Sequence, residues 1–277
     1  MKTINPGLTL LLLVSLFGCK KTITPTIPIG TAACKPTIAS TNLAANHNQF
    51  EYTYDNSGKI AVIKYFIGGS YHVLEDSTLV GDNTIVSYHK EWPYTIGTVV
   101  YNRSIWDGMP TEAIVSRTEG LITQTDVFHY FFFYDSKNRL VKVGEQTDHV
   151  IGDWEYDLSI FYNDHDNVTE LSYEWTTGPR TITTITALGY DDKPTPYAWF
   201  KKWYFLMHAA WNNYDPEPIL TALSKNNPLG YEYANNKRTM TYVYGNKGFP
   251  TSRINTNTVI GTPGSYTFRE NYDYQCK

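Results

Sequence analysis

The side chains best suited to chemistry are seven histidines, His47, His72, His89, His129, His149, His165 and His208. None of them makes the His-Glu-x-x-His helical pair that holds a hydrolytic zinc, and Cys34 and Cys276 have no cysteine or histidine at metal-ligand spacing. Asp164-His165-Asp166-Asn167 followed by Glu170 offers alternating oxygens that could surround calcium. It lacks the glycine and the frame of an EF-hand, and the same residues read equally well as a turn. Glu155 beside Trp154 and Glu174 beside Trp175 suggest a glycoside hydrolase, whose two carboxyls must stand about 5 to 9.5 Å apart. Neighbours on a strand point to opposite faces, so an isolated Glu-Trp pair is ordinarily one residue on each side of a sheet. No Gly-x-Ser-x-Gly elbow and no phosphate loop is present. The expectation is a protein with no catalytic residues, no cofactor and no metal, and not an enzyme.

The elements that would position any site are strands. The sequence holds 23 Tyr, 12 Phe and 7 Trp against 4 Met, with many Thr, Asn and Gly, a mixture that favours sheets and tight turns. Aromatic side chains on an exposed sheet face would bind sugar rings or a lipid chain. In most sheets they instead pair across strands and fill the core, and that reading is preferred for most of them here.

A recurring unit orders the chain. Its copies are Tyr52-Thr53-Tyr54-Asp55-Asn56-Ser57-Gly58-Lys59-Ile60, Phe132-Phe133-Tyr134-Asp135-Ser136-Lys137-Asn138-Arg139-Leu140, Ile160-Phe161-Tyr162-Asn163-Asp164-His165-Asp166-Asn167-Val168 and Tyr242-Val243-Tyr244-Gly245-Asn246-Lys247-Gly248-Phe249-Pro250. Each reads as an aromatic strand, a four-residue turn and a second strand. A type I turn favours Asp or Asn first, where the side chain caps the backbone two residues on, and a residue tolerant of positive φ fourth. Asp55 with Gly58, Asp135 with Asn138, Asn163 with Asp166 and Gly245 with Gly248 meet that demand. Tyr134, Tyr162 and Tyr190 recur every 28 residues, room for one hairpin and its return.

The third step breaks the rule. Pro194 in Tyr190-Asp191-Asp192-Lys193-Pro194 stands where positive φ is wanted, so the hairpin should fail there. From Tyr197 to Trp211 no Gly or Pro occurs, and Trp199, Trp203, Leu206 or Met207 and Ala210 repeat at helical spacing. Asp215-Pro216 then offers an N-cap with proline at the first helical position for a short second helix through Leu223, ended by Asn226-Asn227-Pro228. The expected fold is therefore mainly β. It is an antiparallel sheet of repeated hairpins, an open curved sheet or partial barrel, with one helical insertion around residues 197–224 packed on the sheet as cover.

Lys2, the apolar run Leu8 to Phe17 and the ending Leu16-Phe17-Gly18-Cys19 are too short to span a bilayer, which takes about 20 apolar residues. They resemble the bacterial lipoprotein signal, which implies cleavage before Cys19 and lipidation of that thiol. Residues 1–18 are then the signal peptide, and residues 19–36, rich in Thr, Pro and Ile, a flexible tether. Residues 37–277 form a single β-rich domain. Cys34 and Cys276 remain near the two ends of the mature chain in an oxidising compartment and are expected to pair, the alternative being two unpaired thiols. The formal charge of −4 becomes one unit more negative without Lys2, and no basic stripe is present, which excludes a nucleic-acid surface.

The Tyr-x-Tyr-Asp-x-x-Gly-Lys-Ile pattern resembles the YD-type repeats of bacterial surface proteins. With the lipoprotein signal and the Tyr190 to Pro196 segment, the chain is similar to an uncharacterised family of Bacteroidetes envelope lipoproteins over roughly residues 50–255. The departures are Ile67 to Thr125, which match poorly, and Gly245 in place of Asp. The resemblance implies a β-rich, membrane-anchored envelope protein and brings no catalytic residues. Lys20-Lys21 behind the lipid cysteine lack the acidic cluster associated with surface export in those bacteria. They also lack the Asp that retains some lipoproteins in the inner membrane, so the periplasmic face of the outer membrane is favoured over the cell surface. Asp76-Ser77-Thr78 is similar to a short O-glycosylation signal of those bacteria, which would place Ser77 on an exposed loop.

The functional expectation is a non-catalytic binding or scaffold protein anchored by its N-terminal lipid, its partner a glycan, a lipid or an envelope protein. One rival is a lipid or lipoprotein carrier with an aromatic cavity around Trp199 to Trp211. Another is a glycan-active enzyme.

Overall fold

The computed structural model describes residues 34–43, 46–67, 73–89, 96–106, 108–118, 125–147, 154–175, 180–196 and 216–276. Its first strands are β1 (Cys34–Leu43), β2 (Asn46–Tyr54), β3 (Ile60–Ile67), β4 (Val73–Val80), β5 (Thr84–His89), β6 (Ile96–Tyr101), β7 (Glu112–Thr118) and β8 (Thr125–Tyr134). They continue as β9 (Leu140–Thr147), β10 (Trp154–Tyr162), β11 (Val168–Trp175), β12 (Thr181–Pro194), β13 (Asn226–Tyr233), β14 (Asn236–Tyr244), β15 (Pro250–Val259) and β16 (Ser265–Cys276). One helix, α1 (Pro216–Leu223), lies between β12 and β13. Each strand pairs antiparallel with its neighbours in sequence, and β1 pairs with β16 to close a barrel of sixteen strands.

Closure corrects the open curved sheet or partial barrel expected from the hairpin pattern. Hairpin chemistry is local and fixes only each strand's next partner, whereas closure brings Cys34 opposite Cys276 and Asn42 opposite Arg269. The barrel also begins at Cys34, inside the segment read as tether. Of the insertion expected over 197–224, Pro216–Leu223 is helical, with proline at its start and Asn226 already in a strand. Residues 197–215, including the Trp199 to Trp211 stretch, lie outside the described residues. Between Ile67 and Thr125, where the repeat matches poorly, β4 to β7 continue the meander on other turns.

The four repeat copies fold alike. In each, the N–H of the fourth turn residue donates to the carbonyl of the first, and the first N–H donates to the carbonyl after the turn, as in Asp135 to Arg139 and Asn138 to Asp135, both 2.9 Å. The fourth residue takes positive φ in every copy: Gly58 +81°, Asn138 +61°, Asp166 +62° and Gly248 +79°. A register shift follows at each, between Thr53 and Tyr54, Phe133 and Tyr134, Phe161 and Tyr162, and Val243 and Tyr244. This is a type I turn with a bulge, which adds twist and helps a sheet curl. The Asp135 carboxylate accepts the N–H groups of Lys137 and Arg139 at 2.9 Å each, and Asn163 Oδ1 does the same for His165 and Asn167 at 2.9 and 3.1 Å.

The repeat tyrosines have a second role. Hydroxyls of Tyr54, Tyr134, Tyr162, Tyr190, Tyr242 and Tyr274 donate to the carbonyls of Pro36, Pro110, Leu140, Val168, Pro228 and Pro250 at 2.5–2.9 Å. Each reaches from the end of an even-numbered strand to the start of the preceding odd one or just before it, so a ring of latches lines one end of the barrel. In the last copy the turn-flanking Tyr244 donates to Asp191 instead, and Tyr242 takes the latch. Burial pushes the Tyr162 and Tyr190 hydroxyls up, keeping them protonated donors.

Alternation along the strands sets the two faces of the wall. Tyr130 and Phe132, Val143, Leu158 and Ile160, Leu171 and Tyr173, and Ile185 point inward and are buried, forming one core with Ile219 and Leu220 of α1. Ser224 Oγ, just past α1, accepts the Val168 N–H at 3.0 Å, fixing the helix against the turn end.

Candidate functional site

The sequence-predicted site residues separate. Cys19 lies outside the described residues. Cys34 and Cys276 form a disulfide across the seam, 242 residues apart in sequence. Ser77 is not on a loop: it sits within β4, opposite Lys64 and Tyr88. The strand formers Val73-Leu74 and Leu79-Val80 on either side draw Asp76-Ser77-Thr78 into the ladder. Glu174 pairs with Arg180, and the backbone of Glu155 falls at a register shift in β10 between Trp154 and Tyr156. The oxygens of the Asp164 to Asn167 turn serve the fold, Asp166 holding Arg139 at 2.9 Å and Lys137 at 3.9 Å.

Sequence reasoning missed the polar inner wall of β14 to β16. There the register stacks three rows facing the lumen: Arg238, Asn257 and Tyr266; Met240, Asn255 and Phe268; Tyr242, Arg253 and Glu270. The inward direction follows from Tyr231 opposite Arg238 and from Met240 and Tyr272, all members of the core. The signal available was the Asn255-x-Asn257 pair opposite Phe268 and Tyr266, at alternating positions of two adjacent strands.

The row nearest the turn end is closed. Arg253, 4% exposed, pairs with Glu270, which also accepts the Tyr272 hydroxyl at 2.7 Å. In the middle row Asn255 is fully buried, and neither its Oδ1 nor its Nδ2 has a hydrogen-bond partner among the described residues. In the outermost row the Arg238 guanidinium lies over the Tyr231 and Phe268 rings, 5.4 and 5.5 Å from their centroids, and its Nε donates to Asn257 Oδ1 at 2.6 Å. Asn257 Nδ2 is buried and unmatched among the described residues. Tyr266, stacked on Phe268 with centroids 6.4 Å apart, is 57% exposed although it faces inward, so solvent reaches the wall here. Gly230 permits this packing: its φ is +149°, and a Cβ would fall 2.2 Å from the Arg238 carbonyl oxygen.

The outer face is mixed, with charged and hydroxyl rows beside exposed apolar residues. Glu51 stands opposite Lys64, Lys142 bonds Asp157 at 2.9 Å, Lys237 bonds Glu232 at 2.7 Å, and Thr239, Thr256 and Thr267 line up across three strands. Leu79 opposite Val86, Tyr88, Val100 beside Ile114, Phe133, Phe161, Ile182, Leu188, Leu229 and Val243 are apolar or aromatic residues of the same face, most of them exposed. No helix among the described residues is long and apolar enough to cross a membrane. A transmembrane barrel carries an apolar band outward and polar residues inward, and a Lys or Arg facing lipid at mid-depth costs about 2–4 kcal/mol.

No family model matches the chain, and no curated relative matches it. Among solved structures it is similar to a porin-like protein from Bacteroides uniformis ATCC 8492, at 15% identity and a TM-score of 0.56, covering 87% of this chain and 98% of that one. It is also similar to a porin-like protein from Bacteroides vulgatus ATCC 8482, at 11% identity and a TM-score of 0.51, covering 87% of this chain and 99% of that one. At such identities the likeness is one of fold.

Proposed function

We propose that this chain is an envelope lipoprotein, held at the membrane by lipid on Cys19, whose barrel stands in water and acts as a non-catalytic binding protein. The observation that carries the reading is the orientation of the wall. Buried apolar side chains line much of the lumen, and Glu51, Lys64, Lys142, Asp157, Glu232 and Lys237 face outward between exposed apolar residues; these charged rows suit an aqueous surface and oppose insertion. A water-facing barrel in the envelope needs another anchor, and the Leu16-Phe17-Gly18-Cys19 sequence supplies one. The periplasmic face of the outer membrane fits the Lys20-Lys21 sequence, and descent from the Bacteroidetes lipoproteins fits the repeat and the origin of the similar structures. Residues 1–18 would then be removed and the segment from Cys19 to the barrel would act as tether.

Fractionation of envelopes carrying the wild-type chain and Cys19→Ser tests this. The wild type should sediment with membranes and incorporate fatty acid. The variant should appear in the soluble fraction with its barrel folded. A variant that stays in the membrane and requires detergent for release would contradict the proposal.

A further inference from the structure

We propose that the outer face of β4 to β8 rests on the surface of the lipid bilayer that anchors the chain, so that the barrel lies on its side against the membrane without crossing it. The proposal rests on the reading of the barrel as a lipid-tethered, water-facing protein and adds the contact that its wall makes.

The outer wall is divided by charge. Glu51, Lys142, Asp157, Glu232, Lys237 and Arg269 take outward positions on β2, β9, β10, β13, β14 and β16. Over β4 to β8 the described outward side chains include no Lys or Arg, and Glu112, beside the turn end, is their one carboxylate. The register joins the remainder into continuous rows. Val62 of β3, Leu79, Val86, Thr98, Ser116 and Val127 stand side by side in one. Thr84, Val100, Ile114 and His129 form the next, toward the turn end. Leu79, Tyr88, Val100, Ile114 and Phe133 are each 42–46% exposed. On the charged side Phe161 and Ile182 stand opposite Glu170 and Glu174 instead. A contiguous apolar face on a water-facing protein marks a contact surface.

Shape and tether name the occupant. Five strands about 4.8 Å apart make a face about 24 Å wide, and it is convex, being the outside of a barrel. A second copy would bring another convex wall, and two such walls meet along too few strands to bury the roughly 800 Å² per partner of a stable dimer. A bilayer surface is soft and extended and moulds to a convex face. Cys34 follows Cys19 by 15 residues, at most about 50 Å of extended chain, and it opens β1, three strands from β4. The lipid on Cys19 therefore holds this face at high effective concentration beside a membrane.

The flanking strands set the depth. Lys64 of β3 and Lys142 of β9 bound the face on its two sides, where a long amine keeps its charge among headgroups while its stem covers apolar surface. Tyr88 adds a phenol of the kind enriched at membrane interfaces. The charged strands beyond cannot follow into hydrocarbon.

The test uses the mature lipidated chain in vesicles of phosphatidylethanolamine and phosphatidylglycerol, with a nitroxide on Leu79→Cys or on Ile182→Cys. The same labelled chain with Cys19→Ser, free in buffer, is the reference. Oxygen, being apolar, concentrates in lipid, and a nickel chelate stays in water. The oxygen-to-nickel accessibility ratio should rise about threefold at position 79 in the lipidated chain and stay at the free value at position 182. Val100→Glu with Ile114→Lys places a cross-strand ion pair on the face without changing net charge. It should return position 79 to the free value with the melting temperature kept. Position 79 as wet in the lipidated chain as in the free one, or still in lipid when the folded variant carries the ion pair, would overturn the proposal. Lipid exposure at both positions, or a chain that carries no lipid on Cys19, would contradict the tethered, water-facing barrel beneath it, and the proposal with it.

Discussion

The two ends of the barrel are built from different chemistry. At the turn end most polar groups are matched, although Thr221 Oγ1 of α1 and Asn227 Oδ1 are buried without partners among the described residues. Repeat turns cap themselves, six tyrosines latch neighbouring strands, α1 seats Leu220 in the core, and a disulfide bolts the seam. At the other end, over β14 to β16, a buried Asn255 amide lacks partners among the described residues and an inward tyrosine meets solvent. The latches, the helix and the disulfide concentrate at the turn end, and the polar inner rows of β14 to β16 extend away from it.

Substitutions should act with opposite sign at the two ends. The largest effect belongs to the seam: replacing Cys34 and Cys276 by Ser frees a closure spanning 242 residues and should lower stability by up to about 5 kcal/mol in denaturant titration. Leu220→Ala, which empties a fully buried position of α1, should cost about 3 kcal/mol. Asn255→Leu at the opposite end should stabilise by about 1–2 kcal/mol; a loss there would break the comparison. Tyr162→Phe removes a single latch, the 2.9 Å bond to Leu140, and should cost about 1 kcal/mol by thermal melting.

The smallest effect is one of pH. Burial raises the Asp135 pKa, but hydrogen bonds from Arg139 and the Lys137 N–H, with the Arg139 charge, outweigh it and hold the carboxyl below its usual range. The Ser57 hydroxyl and the Lys59 N–H do the same for Asp55. A depressed carboxyl contributes stability above its unfolded pKa and loses it as pH falls through the folded value. The melting temperature should therefore decline as pH drops below about 4, the unfolded carboxylate range. Asp135→Ala should flatten part of that decline in a series of melts.

Much of the turn end was legible in the sequence because it obeys local rules. Asp135 with Asn138 and Asn163 with Asp166 specify a turn within four residues, and Pro194 reports the hairpin that does not form. The helix over Pro216–Leu223 was likewise written in its capping residues. Closure was less visible, since no local feature of β1 names β16 as its partner. Yet the expected disulfide already implied it. Sixteen strands at about 4.8 Å spacing would hold the edges of a flat sheet about 70 Å apart, whereas a disulfide needs Cα atoms within about 7 Å. The polar inner rows were hidden for another reason. Asn255 and Asn257 are ordinary strand residues until the register places them opposite Phe268 and Tyr266 and alternation turns all four inward. Ser77 misled in the converse way, a three-residue match whose neighbours made it strand.

Sedimentation velocity of the mature chain with Cys19→Ser, in aqueous buffer without detergent, tests the central claim most directly. A barrel whose charged outer rows face water should run as a single folded species of monomer mass. Aggregation in buffer, with a monodisperse barrel recovered only in detergent micelles, would mean that the wall faces lipid and would contradict the account.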